Sequence, residues 1–94
     1  MDASSYLKTK RWFVYVLLNK HGEAYTGVTF DVSPDRRLEE HNGEKPGGAK
    51  YTRARRPWEL IYVESGFAGR SEAQSREIQI KRDRKFKLLL KKER

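Results

Sequence analysis

The sequence predicts an α+β fold in which a three-stranded antiparallel sheet is flanked by helices, in the order β-β-α-β-α-α. Two observations carry this prediction. A continuous aromatic and β-branched run at residues 11–18 has the length of one buried strand, and turn-forming residues 19–22 separate it from a second strand-like run at 23–29. An alternating run at residues 57–64 supplies the third strand, and the remaining segments have helical patterns.

Three helices are predicted from start signals and periodicity. The pair Ser33-Pro34 is typical of a helix start, which predicts a first helix running through about His41. Residues 70–84 and 85–92 carry apolar residues at helical spacing and predict two more. Between the first helix and the third strand, residues 44–56 predict a glycine-rich basic loop, and loops of that length are usually functional or mobile.

The bulk composition predicts one small domain that binds a polyanion. The 94 residues fit an N-terminal arm at 1–10 and a single folded domain at 11–94. Lys and Arg number 21 against 13 Asp and Glu, and the resulting net charge of +8 favours nucleic acid, although a merely solubilising surface is the alternative. The absence of cysteine excludes disulfides and thiolate zinc sites.

The hydropathy of the sequence predicts where in the cell the protein is found. No apolar run approaches the roughly 20 residues that span a bilayer, and the first residues lack the apolar core of a secretory signal. We therefore expect a cytoplasmic protein without a membrane partner, with association with the nucleoid as a variant of that expectation. Residues 81–94 are both basic and amphipathic, so they are a second candidate nucleic-acid surface and, less favoured, a membrane contact.

Two tyrosines are predicted to lie side by side on the hairpin. If Tyr15 opposes Tyr25, a three-residue turn closed by Gly22 joins the strands and both phenols share one face of the sheet. Gly27 shares that face and leaves space for a molecule to approach. The alternative is an aromatic pair that only packs.

Two helices carry charged residues where apolar ones are expected. On the first helix, Arg37 and His41 share the face of its one large apolar residue, Leu38. On the helix at 70–84, Glu77 falls within the apolar stripe, where carboxylates are rare unless paired or bound to metal. Alternatives are an Arg37 stem that packs while its guanidinium reaches solvent, and a buried Arg37–Glu77 ion pair.

Together these residues resemble the GIY-YIG nucleases. Phe13-Val14-Tyr15 is similar to the family's first triplet, and Tyr25-Thr26-Gly27 matches the second at the family's spacing. Arg37, His41 and Glu77 fall where the family places its helix arginine, a frequent histidine and its metal-binding glutamate. The resemblance predicts the same α+β fold and is closest to short bacterial-type members that consist of this domain alone.

The resemblance covers roughly residues 11–84 and has departures. Phe13 replaces the glycine of the first triplet, and Val28 stands where some members carry a lysine. Larger members often end with an asparagine near the active site; this chain's only asparagines are Asn19 and Asn42, so that role is vacant or filled by another residue. Without cysteine, the chain lacks the zinc-binding module of the junction-cutting relatives.

The resemblance implies a metal-dependent endonuclease that hydrolyses DNA phosphodiester bonds, with structure-specific repair or processing as one role and RNA as an alternative partner. Glu77 would hold Mg²⁺ or Mn²⁺. Tyr15 or Tyr25 would activate the water, Arg37 would supply positive charge, and His41 would assist proton transfer or bind phosphate. A homodimer or accessory protein is a further expected partner. The competing interpretation is a non-catalytic basic module that binds DNA or RNA.

The basic loop at 44–56 is the expected path of the DNA backbone, with Tyr51 or Trp58 stacking on a base. A solvated basic loop is the alternative. The residues expected to contact nucleic acid are Lys50, Tyr51, Arg53, Arg55, Arg56 and Lys81.

Overall fold

The computed structural model describes residues 9–93 and confirms the predicted α+β fold. Most of the predicted N-terminal arm, residues 1–8, lies outside the described residues, as does residue 94. The elements in chain order are β1 (Arg11–Asn19), β2 (Ala24–Asp31), α1 (Asp35–His41), α2 (Lys50–Arg53), β3 (Trp58–Glu64), α3 (Arg70–Arg82) and α4 (Arg84–Lys92).

Two segments differ from the predictions. The segment 44–56 is not wholly a loop, because its residues Lys50–Arg53 form the short helix α2. The two C-terminal helices meet at Asp83, whose carboxylate accepts a hydrogen bond of 2.9 Å from the Phe86 N–H and so starts α4. Within residues 9–93, no helix has the length and apolar character that crossing a bilayer requires.

Strand β1 lies in the centre of the sheet. The strand order is β2-β1-β3, and both neighbours run antiparallel to β1. A central strand buries both of its faces, which is why this segment is a continuous apolar run and does not alternate. The sheet therefore places the side chains of β1 alternately in two different layers of the molecule.

The predicted register of the hairpin is wrong by two residues. Tyr15 pairs with Gly27, and Tyr25 pairs with Leu17. The reason is the turn: the Asn19 side chain accepts hydrogen bonds from the backbone N–H groups of residues 21 and 23, so the turn begins one residue later than expected. A shift of two preserves the alternation of side chains, and both tyrosines still lie on one face.

The two faces of the sheet bury different kinds of residue. On one face, Val14 and Val16 pack against Ala73 and Ile80 of α3 and form an apolar core. On the other, the aromatic and aliphatic side chains Tyr15, Leu17 and Trp58 pack with partly buried Tyr25 and Leu38. Helices α3 and α4 cover the first face, and α1 contributes to the second. We call these the apolar face and the tyrosine face.

Candidate active site

Tyr15 lies at the centre of the tyrosine face. Its side chain is only 2% exposed, and its hydroxyl is 2.8 Å from Nε2 of His41. Its strand partner Gly27 makes room for it, since a Cβ at that position would collide with the Tyr15 hydroxyl. The glycine of the second triplet is therefore required by the position of the phenol.

His41 ends α1 and is fully buried, with both ring nitrogens hydrogen-bonded. Nδ1 is 2.7 Å from Oγ1 of Thr52, and that hydroxyl donates to the Ala49 carbonyl at 3.0 Å. Because the Thr52 proton is already committed, the network assigns the imidazole proton to Nδ1 and leaves Nε2 to accept from the Tyr15 O–H. Burial, aided by the Arg37 charge, lowers the pKa of His41 to about 4, so the ring is neutral.

Tyr25 is half-buried beside the same histidine. Its ring centroid is 5.0 Å from that of His41 and 6.5 Å from that of Tyr15. Burial raises the pKa of both phenols, the nearby Arg37 guanidinium lowers it, and the Glu77 carboxylate raises it. Both tyrosines are therefore neutral near pH 7 in the free protein, and added positive charge would favour their ionisation.

Arg37 brings positive charge to the phenols from α1. Its guanidinium makes an ion pair of 2.6 Å with Glu40, and its side chain is 27% exposed. The alternative of a buried Arg37–Glu77 pair is wrong, because Glu40 on the same helix is the partner. The guanidinium keeps part of its surface open to a ligand.

Glu77 lies on α3, and its charge acts on the tyrosines. Helix α3 packs against the apolar face through Ala73 and Ile80, yet the charge of Glu77 raises the pKa of both Tyr15 and Tyr25. Its side chain is 17% exposed and lies 3.7 Å from the Lys81 ammonium. The carboxylate is thus neither in bulk solvent nor sealed in the core.

The oxygen atoms of Glu77 and the tyrosines fit a hard divalent cation only if ligands from outside the protein complete its coordination. Within residues 9–93, no group of three or more His, Cys, Asp or Glu side chains is arranged to hold an ion, so a cage made of protein ligands is excluded for that part of the chain. One carboxylate with phenolic oxygens nearby suits Mg²⁺ or Mn²⁺ when water and a substrate phosphate complete the coordination. The Lys81 ammonium, 3.7 Å from Glu77, would compete with a cation for that carboxylate.

The predicted basic loop divides into two kinds of residue. Arg56 donates to the His41 carbonyl at 2.6 Å, and Arg55 pairs with Glu23 at 3.3 Å, so both have internal partners. Lys50 and Arg53, on α2, are exposed. The described contacts therefore give two of the four loop cations expected to bind nucleic acid a structural role in addition to any such contact.

The predicted base-stacking role of Trp58 is wrong. Its side chain is 4% exposed, and its indole N–H donates to the Thr52 carbonyl at 2.9 Å. Tyr51 is 41% exposed and stacks on Tyr25, with ring centroids 6.0 Å apart and planes 23° apart. The Arg55 guanidinium lies 4.0 Å from the Tyr51 ring centroid, so one stacking position on Tyr51 is already taken.

Two residues of the site were missed in the sequence. Thr52 orients His41, and Glu40 restrains Arg37. Glu40 lies three residues after Arg37, a spacing at which helical side chains meet, so the signal was present. Thr52 carried no signal, because its contact with His41 depends on how a segment interpreted as a loop folds back.

Comparison with known proteins places the whole folded region in one family. The catalytic-domain model of the GIY-YIG family matches residues 11–91. A UPF0213 protein of Desulfotalea psychrophila is 47% identical over 70 residues, which cover 74% of this chain and 60% of that protein. Its counterpart in Streptococcus pneumoniae is 48% identical over 73 residues, covering 78% of this chain and 69% of the other.

A UPF0213 protein of Staphylococcus epidermidis is 44% identical over 80 residues, covering 82% of this chain and 92% of the relative. Among solved structures, the solution NMR structure of a UPF0213 protein from Bacillus halodurans has a TM-score of 0.49 and 40% identity, and the match covers 85% of this chain and 81% of that one. The relatives' names record no activity. The match over residues 11–91 nevertheless exceeds half of the chain, and the protein belongs to the GIY-YIG family of catalytic domains.

Proposed function

We propose that this protein is a metal-dependent endonuclease that hydrolyses phosphodiester bonds in DNA. The observation that carries the proposal is the buried hydrogen-bonded chain from Tyr15 through His41 to Thr52, set beside Arg37 and Tyr25. Burying three linked polar side chains is unfavourable unless each is satisfied, and this chain gains nothing in packing over apolar residues. The chain does provide Tyr15 with a proton acceptor, Nε2 of His41.

The proton path follows from the hydrogen bonds. The attacking water transfers a proton to the Tyr15 oxygen while the Tyr15 proton passes to Nε2 of His41, which becomes an imidazolium. The water oxygen forms the new bond to phosphorus, the bond to the leaving oxygen breaks, and the leaving oxygen takes a proton from solvent while His41 returns its proton to solvent and becomes neutral again. Tyr15 is the better proton-transfer group because its hydroxyl is hydrogen-bonded to His41, which can accept the proton. Tyr25 is more exposed and is the better contact for the substrate.

Arg37 would contact the phosphate. Its planar guanidinium suits two phosphate oxygens, and its partly exposed position next to the phenols places positive charge where negative charge develops. That charge also makes a phenol easier to ionise. The ion pair with Glu40 restrains the guanidinium before substrate binds.

Glu77 would hold the divalent cation. When bound, the cation would neutralise charge on the phosphate and favour ionisation of a nearby phenol or water. Phosphate and water would supply the coordination that the protein lacks. The +8 charge of the chain favours the polyanionic substrate over neutral ones.

Cleavage of supercoiled plasmid and of branched DNA, with and without Mg²⁺ or Mn²⁺, tests the proposal. We expect metal-dependent nicking that falls by at least about 100-fold in Tyr15→Phe, Arg37→Gln and Glu77→Gln. Arg36→Gln, one residue along α1, and Glu44→Gln, at an exposed carboxylate, are matched controls that should keep nearly full activity.

The non-catalytic binding module gives a different result. It predicts that DNA binds while no purified preparation cleaves with either metal. Cleavage that survives Glu77→Gln unchanged would contradict the assignment of the metal ligand. A role in DNA repair or processing, and a homodimer or accessory protein that brings two sites to a duplex, stay predictions.

A further inference from the structure

A basic groove lies between the β1–β2 turn and α4. It is a cavity of about 340 Å³, lined on one side by turn residues Gly22 and Glu23 and also by Tyr51. The other wall is the side of α4 that carries Arg84, Lys87, Leu88 and Lys91. Neither the fold nor the proposed reaction requires this groove.

Helix α4 has an apolar side that packs on the core and a basic side that lines the groove. Phe86 and Leu90 pack against the apolar core. Three cations, Arg84, Lys87 and Lys91, recur at helical spacing along the groove, and their Cα atoms span roughly 10 Å. The groove wall is thus a line of positive charge.

These charges are not neutralised from within the described residues. Glu23 is the one acidic residue that lines the groove, and it already pairs with Arg55 at 3.3 Å and accepts from Asn19 at 2.9 Å. Within residues 9–93, no carboxylate lies within ion-pair distance of Arg84, Lys87 or Lys91. The Lys87 ammonium donates to the Lys81 carbonyl at 2.8 Å, which positions it without cancelling its charge.

Tyr51 links the groove to the candidate active site. It lines the groove and stacks on Tyr25, which in turn lies 6.5 Å from Tyr15, centroid to centroid. A strand whose phosphate lies at the tyrosines therefore reaches the groove by passing Tyr51.

We propose that this groove binds the DNA strand next to the scissile phosphate, with Arg84, Lys87 and Lys91 contacting its backbone. The inference rests on the proposed nuclease function. A cavity of about 340 Å³ is at the lower end of ligand-pocket volumes, roughly 300–1,000 Å³, which fits a nucleotide and not a duplex. Tyr51 and Leu88 add apolar surface for a sugar or base, and the cations match phosphates.

Two double variants of α4 test the groove with equal loss of charge. Lys87→Gln with Lys91→Gln removes two groove cations, whereas Lys85→Gln with Lys92→Gln removes two that line the neighbouring surface depression and not the groove. Binding of a labelled oligonucleotide is measured by fluorescence anisotropy at several salt concentrations without divalent metal.

We expect the slope of log K against log salt to fall by about 1.4–1.8 in the groove variant and to stay nearly constant in the control, since each phosphate contact contributes about 0.7–0.9. Equal changes in both variants, or none in the groove variant, overturn the proposal. Thermal melts establish that both are folded, and the single variant Lys91→Gln, expected to lose about half as much slope, decides the question if the groove double variant does not fold.

Two further measurements separate the other interpretations. If the parent binds DNA without cleaving while the groove variant loses its slope, the proposed function fails and the groove is a DNA-binding surface without a scissile phosphate; if the parent cleaves and the groove variant keeps its slope, only the groove fails. Vesicles of phosphatidylcholine with phosphatidylglycerol test the exposed leucines of α4. Loss of vesicle binding in the groove variant, with unchanged DNA binding, would assign the cations to a lipid surface instead.

Discussion

The two faces of the sheet draw on alternate residues of the same strand, yet their interiors have opposite chemistry. Val14 and Val16 lie in an interior of aliphatic contacts. Tyr15, one residue away on β1, lies against a neutral histidine in an interior held by hydrogen bonds. The apolar face obtains its stability from area removed from water, and the tyrosine face obtains its geometry from directional contacts.

This difference assigns separate roles to the two interiors. Buried aliphatic side chains respond to changes in volume and are indifferent to pH. A buried imidazole is sensitive to pH and to the partners of both its nitrogens. The expected effects of perturbing each face should therefore differ in kind as well as in size.

Acid should destabilise the protein through the tyrosine face, where the buried neutral His41 would be protonated. The fold lowers the pKa of His41 to about 4 from an ordinary value near 6.5, so between these values the unfolded chain binds more protons than the folded one. The free energy of unfolding should then drop by about 3 kcal/mol as pH falls from 7 to 4. Urea unfolding at each pH measures this drop.

The chain's other histidine provides the control for acid sensitivity. His21 is exposed in the hairpin turn, so His21→Gln should keep the full pH dependence, whereas His41→Gln should lose most of it. An equal dependence in both variants would show that the buried neutral imidazole does not govern acid stability.

Gly27→Ala should disable the tyrosine face while leaving the sheet in place. The new Cβ would overlap the Tyr15 hydroxyl and ring, and the ring must move because Gly27 lies on the neighbouring strand. A displacement of about 1 Å costs roughly 100-fold in rate, or about 2.7 kcal/mol of barrier. Plasmid nicking measures the loss, and Gly69→Ala, where a Cβ meets nothing, should cleave like the parent.

Val16→Ala should lower the free energy of unfolding without changing the cleavage rate, the reverse of what is expected for Gly27→Ala. It removes two methyl groups from the fully buried apolar face and should reduce the free energy of unfolding by about 2 kcal/mol. The cleavage rate at a temperature where the variant is folded should equal that of the parent. A rate loss as large as that of Gly27→Ala would show that the two interiors are not separable.

Thr52→Val should disturb the orientation of the histidine. Valine has the shape of threonine but cannot accept from Nδ1 of His41, so a buried donor loses its partner and the tautomer is no longer fixed. We expect about tenfold slower cleavage and a shifted pH–rate profile, both restored in Thr52→Ser. A purely structural role would slow Thr52→Val without moving the profile.

The sequence predicted the layers better than the contacts between them. Because side chains in a strand point alternately to the two faces of the sheet, an error of two residues in register left Tyr15 and Tyr25 on the same face. Arg37 and His41 followed from one helical stripe.

Apart from the Arg37–Glu40 pair within α1, the contacts that escaped prediction cross between elements. The pairing of His41 with Thr52 depends on α2, which forms within a glycine-rich segment that has no periodic pattern. Trp58 begins β3 and was predicted to stack on a base, but its indole N–H donates a hydrogen bond to the Thr52 carbonyl in the same segment. Local patterns report which side of an element is buried and carry no information about which distant partner fills the space.

Lys81→Met tests the smallest of these effects, at the point where α3 approaches the tyrosines. Lys81 lies 3.7 Å from Glu77 and is about half exposed, so its ammonium weakly opposes a cation on that carboxylate. Removing it should lower the Mg²⁺ concentration for half-maximal cleavage by about two- to threefold, measured by titration of the metal at saturating DNA. The predicted role of Lys81 in binding nucleic acid gives the other result: weaker DNA binding with an unchanged metal requirement. Arg82→Met, an equal charge change at the next exposed residue of α3, should leave the metal titration unchanged and so separates a local effect on Glu77 from a general change in net charge.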